Sequence, residues 1–215
     1  MSKKILIVLL AVVAAFGAQA QDKVITIHSV NLTAGVYSPK MDYFNDVYLP
    51  NAEATDDFGS SMVFGGNVTF NVLEDFRARV GISAWSNDVS RTASIGLQKV
   101  DVSFTRFSLG GFYAPEALSF GDGFQAYAGL EFFYYDINTD IDMMMDNNNA
   151  TTAELSGNDV AIAPVIGLDK VFGDNILVGA EFALPIGKYE QEDGAAKYDN
   201  KITGPQFTIS VGYKF

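Results

Sequence analysis

The sequence predicts an all-β fold, an eight-stranded antiparallel up-and-down transmembrane β-barrel. Eight segments alternate apolar and polar residues over about ten positions or more, the length of a tilted membrane strand. The polar segments between them are alternately long and short, as in barrels whose two ends face different compartments. Charges of both signs share the polar faces, which suits a closed interior in which they neutralise one another.

The first four strands are recognised by apolar residues at every second position, because such residues share one face of a strand. Residues 27–37 carry Val30, Leu32, Ala34 and Val36; 60–72 carry Met62, Phe64, Val68, Phe70 and Val72; 76–85 carry Phe76, Ala78, Val80, Ile82 and Ala84; and 101–113 carry Phe107, Leu109, Gly111 and Tyr113. In the fourth strand Val102 and Phe104 have the opposite parity, which a β-bulge would explain.

The last four strands follow the same rule. Residues 124–136 carry Ala126, Ala128, Leu130, Phe132 and Tyr134; 159–171 carry Val160, Ile162, Ile166 and Leu168; 176–189 carry Ile176, Val178, Ala180, Phe182 and Leu184; and 202–215 carry Phe207, Ile209, Val211, Tyr213 and Phe215. An even strand count brings both chain termini to the periplasmic side. The long polar segments 38–59, 86–100, 137–158 and 190–201 then lie together on the other side, as loops outside the cell.

The N-terminal residues 1–20 predict a secretory signal peptide, which leaves residues 21–215 as the barrel domain. Lys3 and Lys4 precede an apolar run, and Ala18-Gln19-Ala20 gives a small-x-small cleavage pattern. The run is too short for a spanning helix, and no later stretch reaches that length. The sequence has no cysteine, so neither a lipid anchor nor a disulfide framework is expected.

The overall charge argues against a nucleic-acid partner. The formal net charge is −12, and no basic patch interrupts it. Nucleic-acid phosphates need clustered Lys and Arg, which this chain lacks.

The final strand resembles the last strand of bacterial outer-membrane β-barrel proteins. Phe207, Ile209, Val211, Tyr213 and Phe215 alternate up to a terminal aromatic residue, the pattern that the barrel assembly machinery reads in those proteins. The whole predicted barrel domain is similar to the small eight-stranded class that includes the transmembrane domain of outer membrane protein A and outer membrane protein X. The resemblance implies a porin-like monomer in the outer membrane of a Gram-negative cell envelope, surrounded by lipid and lipopolysaccharide. No peptidoglycan-binding domain is expected after the eighth strand.

A soluble secreted β-sandwich or lipocalin-like barrel is the alternative, because alternation alone does not tell inside from outside. The membrane barrel is favoured by the charges on the polar faces and by the aromatic residues near strand ends. The inward charges, which we name the lumen charge residues, are Arg77, Arg79, Arg106, Glu131, Asp169, Glu181 and Lys214.

The lumen charge residues predict a plug, because eight strands leave room for little more than side chains. We expect Arg79, Arg106, Glu131 and Glu181 to form one network at mid-depth. Asp169 and Lys214 would form a second layer nearer the periplasm. A charged pore is the alternative reading of the same residues.

Other candidate chemistry is weak, and no cofactor, metal site or enzymatic activity is expected. The one histidine, His28, lies beside Ser29 at the periplasmic start of the first strand, away from the outer rim where barrel hydrolases act. The oxygen-bearing residues of the segment 136–142 alternate, yet the EF-hand positions for Gly and Glu are not matched, so the alternation could simply continue the fifth strand.

Two functions stay open. The first is a structural and interaction protein, with a plugged lumen and acidic loops displayed in adhesion or envelope integrity. The second is a narrow channel for small or hydrophobic solutes, as in the outer membrane protein W family. The sequence names no extracellular partner.

Overall fold

The computed structural model of the chain describes residues 25–48, 53–54, 57–93, 96–145, 150–193 and 196–215. The predicted signal peptide lies outside them. The strands are β1 Thr26–Tyr37, β2 Glu53–Ala54, β3 Ser61–Leu73, β4 Phe76–Ala93, β5 Gly96–Tyr113, β6 Ser119–Phe120, β7 Phe124–Met145, β8 Ala150–Phe172, β9 Ile176–Ala183, β10 Ile186–Asp193, β11 Ala196–Lys201 and β12 Gln206–Lys214. A π-helical segment spans Tyr43–Tyr48, and a 3₁₀ turn spans Glu116–Leu118. Among the described residues, no helix is both long and apolar enough to cross a membrane.

Eight of these strands close into a barrel, as predicted. The ring runs β1, β3, β4, β5, β7, β8, β9, β12 and back to β1, with antiparallel pairing throughout. Closure leaves no free edge along the ring, which satisfies the backbone hydrogen bonds that lipid cannot. Both ends of the described chain and the short links between β3 and β4 and between β8 and β9 lie at one end, which we call the lower end.

Three segments predicted to be long loops are β-hairpins instead. The segments 86–100 and 137–158 belong to β4–β5 and β7–β8, whose cross-strand pairing continues up to Ala93↔Gly96 and Met144↔Ala150. The segment 190–201 lies largely in the β10–β11 hairpin. Only the segment 38–59 lacks long strands, and part of it lies outside the described residues. The barrel wall therefore continues well beyond the lengths that the sequence predicted.

Two predicted strands are interrupted by proline. In the strand expected over 176–189, Leu184-Pro185 separates β9 from β10, although both pair with β8 in one register. In the strand expected from 202, Gly204-Pro205 precedes β12, although the Ile202 and Gly204 N–H groups still donate to the Gly187 and Pro185 carbonyls. Proline has no N–H to donate to a sheet ladder, so each break falls where pairing would need one.

Around the lower and middle barrel, the apolar face points outward and forms a belt. Leu32, Phe64, Phe132 and Ile166 are each more than half exposed there. The top of the belt is one row of paired residues on four adjacent strands, Ile82, Phe107, Tyr134 and Val160. The next outward row above it is Ala84, Thr105, Asp136 and Asn158. On these four strands, the outer surface thus changes from apolar to mainly polar in one step.

Above that step the polarity of the two faces is reversed, because the outer surface there meets water. Val102 and Phe104 are both 1% exposed inside the barrel, and β5 pairs with β4 and β7 without a shift in register. The β-bulge proposed for this strand is therefore wrong. Val102 and Phe104 are regularly paired core residues in the part of the barrel above the membrane. On β7, Ile137 and Ile141 point inward while Asp136 and Asp140 are exposed.

Candidate functional site in the barrel lumen

The middle of the lumen holds a three-residue ion cluster supplied by β4, β7 and β9. Alternation aims Arg79, Glu131 and Glu181 inward, and their strands face one another across the ring. The Arg79 guanidinium bonds both Glu131 oxygens, with Nε–Oε1 at 3.3 Å and Nη2–Oε2 at 3.2 Å. Its Nη1 lies 2.6 Å from Glu181 Oε2, which also accepts a hydrogen bond from the Tyr127 hydroxyl at 3.0 Å. One arginine therefore bridges two carboxylates from different strands.

A second ion pair lies below this cluster. Arg77 Nη1 is 3.2 Å from Asp169 Oδ2, and both side chains are largely buried. Lys214 was expected to share this layer with Asp169, but within the described residues it makes no ion pair. The neighbouring inward residue of β4, Arg77, takes that place, because its side chain points toward β8 at the required depth.

Arg106 lies above the cluster and differs from its predicted role. It is 1% exposed, yet in the part of the chain that the structure describes it contacts no carboxylate. Its Nε donates to Ser83 Oγ at 2.9 Å and its Nη1 to Gln206 Oε1 at 2.7 Å. The guanidinium carbon also lies within 6 Å of the ring centres of three aromatic residues, Tyr37, Phe133 and Tyr135. Arg106 is thus held by neutral groups and by cation–π contacts rather than by an ion pair.

Six of the lumen charge residues, all except Lys214, balance as a set rather than within each layer. The Arg77–Asp169 pair is neutral, whereas two carboxylates around Arg79 leave one negative charge. Arg106, which faces the same small cavity as Arg79 and Glu131, supplies the compensating positive charge. That cavity and another on the lower side of Arg79 have volumes of about 40 Å³ each. Spaces of this size hold a few water molecules.

The upper lumen is filled by an apolar cluster that the sequence analysis missed. The largest members include Trp85, Phe104, Tyr135 and Tyr189, all at most 2% exposed. Trp85 stacks on Phe104 with ring centres 4.6 Å apart, and Phe104 meets Tyr135 and Tyr189 edge to face. Two sequence features could have revealed this cluster. Val102 and Phe104 have the parity of inward residues, and Ile137 and Ile141 continue the inward parity after Asp136.

His28 and Ser29 both point inward, because a register irregularity in β1 falls between Ile27 and Ser29. The Ser29 hydroxyl accepts a hydrogen bond from Asn31 Nδ2 at 3.0 Å. His28 Nε2 is buried and has no hydrogen-bond partner among the described residues. The two side chains are therefore not joined as a nucleophile and its base would be.

The alternating carboxylates of 136–142 lie on the outer face of β7, which continues to Met145. Each points into solvent beside a residue of the neighbouring strand rather than toward its own strand neighbours. One row across four strands carries Asp88, Asp101, Asp140 and Glu154. Lys99 bridges the first two, at 3.4 Å from Asp88 and 3.0 Å from Asp101. The hairpins therefore present an acidic outer surface.

The outward stripe of β12 lies in the apolar belt. Phe207, Ile209, Val211, Tyr213 and Phe215 are each 50–65% exposed. β12 is paired on one side with β1 and on the other with β9, so it closes the ring.

Comparison with known proteins supports this architecture. No family model and no curated protein matches the chain. Among solved structures, the outer membrane protein OprG from Pseudomonas aeruginosa matches with a TM-score of 0.58 and 16% identity, over 89% of this chain and 95% of that one. Neisserial surface protein A (NspA) matches with a TM-score of 0.50 and 12% identity, over 89% and 97%.

The fold is therefore that of the small eight-stranded outer-membrane β-barrel proteins, as the final strand and the alternation predicted. The exposed apolar belt rules out a soluble barrel, whose apolar face would be turned inward throughout. Together the belt and the fold locate the protein in the outer membrane.

Proposed function

We propose that the protein is a closed outer-membrane barrel with a structural and interaction role, displaying acidic hairpins at the cell surface. The observation that carries the proposal is a lumen occupied at two heights. Ion pairs around Arg79 fill the middle, and an apolar cluster around Trp85 fills the upper part. Either filling narrows the path that a pore would need.

The charge plug is favoured energetically by its mutual pairing. Arg79 and Glu131 are 8% and 5% exposed, so either charge alone would be strongly disfavoured there. Bidentate geometry and the Tyr127 hydroxyl satisfy the buried polar atoms of the cluster. An ion entering the lumen would have to separate these groups, which makes permeation slow.

The display role is supported by the outer face of the hairpins. With the lower end in the periplasm, β4–β5 and β7–β8 project outside the cell and carry the acidic row that includes Asp101 and Asp140. Such a surface suits adhesion or maintenance of the envelope among lipopolysaccharide. The protein would act as a monomer, with residues 1–20 removed during export.

The β12 stripe is proposed as the signal for the barrel assembly machinery. Replacing Phe215 with Ala should lower the amount inserted in cells while refolding into detergent is largely kept. Replacing the equally lipid-facing Ile166 with Ala is the matched control, and both should then refold alike. Normal cellular levels of the Phe215→Ala variant would contradict this role.

Planar-bilayer recording tests the closed lumen. Purified wild-type protein should give small conductance, and conductance should rise only when both fillings are removed, as in Arg79→Ala combined with Trp85→Ala. Asp199→Asn, on the exposed outer hairpin, should leave conductance unchanged. A large, steady wild-type conductance would refute the plug and favour a narrow channel for small or hydrophobic solutes.

A further inference from the structure

We propose that residues 38–45 form a releasable stopper of the upper lumen, held shut by an ionic latch between Asp42 and Lys201. The stopper begins after the end of β1 and runs into the π-helical segment, of which it includes the first three residues. The proposal deepens the closed-lumen function, since it assigns the upper closure to a segment that can move while the charge plug below stays in place.

The stopper inserts apolar side chains into the mouth of the barrel. Met41 is completely buried and Phe44 is 1% exposed. The Phe44 ring packs on Phe58 with centres 5.5 Å apart, and Met41 Sδ lies 4.0 Å from the Tyr189 hydroxyl. These side chains close the apolar cluster from above, at the end that faces the medium.

The backbone of the stopper is hydrogen-bonded to the segment that precedes β12. Ser38 N–H donates to the Pro205 carbonyl and Lys40 N–H to the Thr203 carbonyl, both at 3.1 Å. Met41 N–H donates to the Lys201 carbonyl at 2.9 Å. The Ser38 and Lys40 bonds continue the β1–β12 register, whereas the Met41 bond departs from it by one residue and Phe44 N–H donates to Asn200 Oδ1 at 3.2 Å. Release would therefore turn the part from Met41 onward about a hinge at residues 38–40.

The latch is the strongest of these attachments and lies within reach of solvent. Asp42 Oδ1 accepts from the Lys201 backbone N–H and Asp42 Oδ2 from Lys201 Nζ, both at 2.6 Å. The Lys201 side chain is 61% exposed, so salt can screen the ionic part of the contact. A charge-assisted bond at the surface is strong enough to hold a segment and weak enough to release it.

Backbone strain beside the latch favours release. Met41 has a φ of +48°, a left-handed conformation that a residue with a long side chain rarely adopts. Such strain persists only where surrounding contacts impose it, and it is typical of segments that switch. Here the contacts that impose it are the buried Met41 side chain and the latch on the next residue.

The single tryptophan reports on the stopper. Trp85 is 2% exposed in the cluster beneath it, and its Nε1 donates to the Tyr37 carbonyl at the end of β1. Opening the stopper would admit a small neutral quencher such as acrylamide to Trp85. The Arg79 cluster lies deeper, so conductance should stay small when quenching rises, and the two closures can be tested separately.

The experiment compares acrylamide quenching of refolded wild type with Asp42→Asn. The variant should show a Stern–Volmer constant about threefold higher, because it loses a charge-assisted contact. Asp199→Asn is the matched control, since the Lys188–Asp199 pair lies on the β10–β11 hairpin beside the latch but does not contact the stopper. Heat-modified gel mobility identifies correctly folded samples before quenching is measured.

A cross-link completes the test. Because the chain has no cysteine, Lys40→Cys with Thr203→Cys places two thiols at backbone-bonded neighbours. In the Asp42→Asn background, oxidation should return quenching to the wild-type level and reduction should raise it again. Equal quenching in Asp42→Asn and Asp199→Asn, or no response to the cross-link, would show that the segment is a fixed part of the wall.

Discussion

Arg79 bonds two buried carboxylates at once, so its removal should destabilise the barrel more than removal of Glu131. Arg79→Met leaves Glu131 and Glu181 facing each other without a cation, in a region where both are largely desolvated. Leaving a buried charge without its partner costs about 3–5 kcal/mol. Glu131→Gln keeps the 2.6 Å contact between Arg79 and Glu181 and loses mainly a charge-assisted pair, for which about 1.5–3 kcal/mol is expected.

The double variant measures the coupling between the two side chains. Arg79→Met with Glu131→Gln removes the repulsion along with the cation, so its loss should be smaller than the sum of the single losses. Free energies of unfolding can be measured by urea titration in lipid vesicles, with Trp85 fluorescence as the signal. Lys188→Met, at an exposed ion pair of the outer hairpin, is the control and should change little. Equal losses for Arg79→Met and Glu131→Gln, or strict additivity, would refute the bridging geometry.

Three further predictions follow from the closed barrel. Unboiled and boiled samples should migrate differently in SDS gels, because ring closure resists detergent; identical mobility would count against closure. An epitope inserted between β7 and β8 should be stained on intact cells, and staining only after permeabilisation would mean an inverted topology. The pKa of Asp42 is lowered: partial burial raises it, but the hydrogen bonds from Lys201 outweigh that effect. The latch therefore stabilises fully above the pKa that Asp42 has in the unfolded chain. This stabilisation is lost as pH falls through the lower pKa that Asp42 has in the folded protein. The charged groups near Asp42 are Lys201 and Asp46. Quenching of Trp85 by acrylamide should therefore rise below about pH 4 in the wild type. The Asp42→Asn variant should show no such rise.

The membrane-spanning part of the fold could be predicted because its pattern is local. A strand in lipid must turn apolar residues outward at every second position, and Phe107 and Leu109 or Phe132 and Leu130 show this without any tertiary knowledge. The hairpins above the membrane follow the same period with opposite polarity. Where the polarity reverses depends on where water begins, and alternation by itself does not mark that height.

The partners within the lumen depended on information that the sequence does not carry. Parity identified Arg79, Glu131 and Glu181 as inward residues, but their contact needs strand register and barrel closure across 52 and 102 positions of sequence. Arg106 has the same parity, yet its height in the barrel places it beside Tyr37 and Tyr135, and Tyr135 lies four residues beyond Glu131 on the same strand. Sequence reasoning could therefore list the charges but not assign their pairs.

The single-step change of polarity on the outer wall also sets the hydrophobic thickness that this barrel tolerates. Tyr134 ends the apolar belt of β7, and Asp136 follows two residues later on the same face. Two residues of a strand tilted by about 40° rise about 5 Å along the membrane normal, so a bilayer thicker by that amount would draw Asp136 into hydrocarbon. A thinner bilayer would instead expose Phe107 and Phe132 to water. The barrel is thus matched to a narrow range of membrane thickness, and this boundary sets its vertical position in the bilayer.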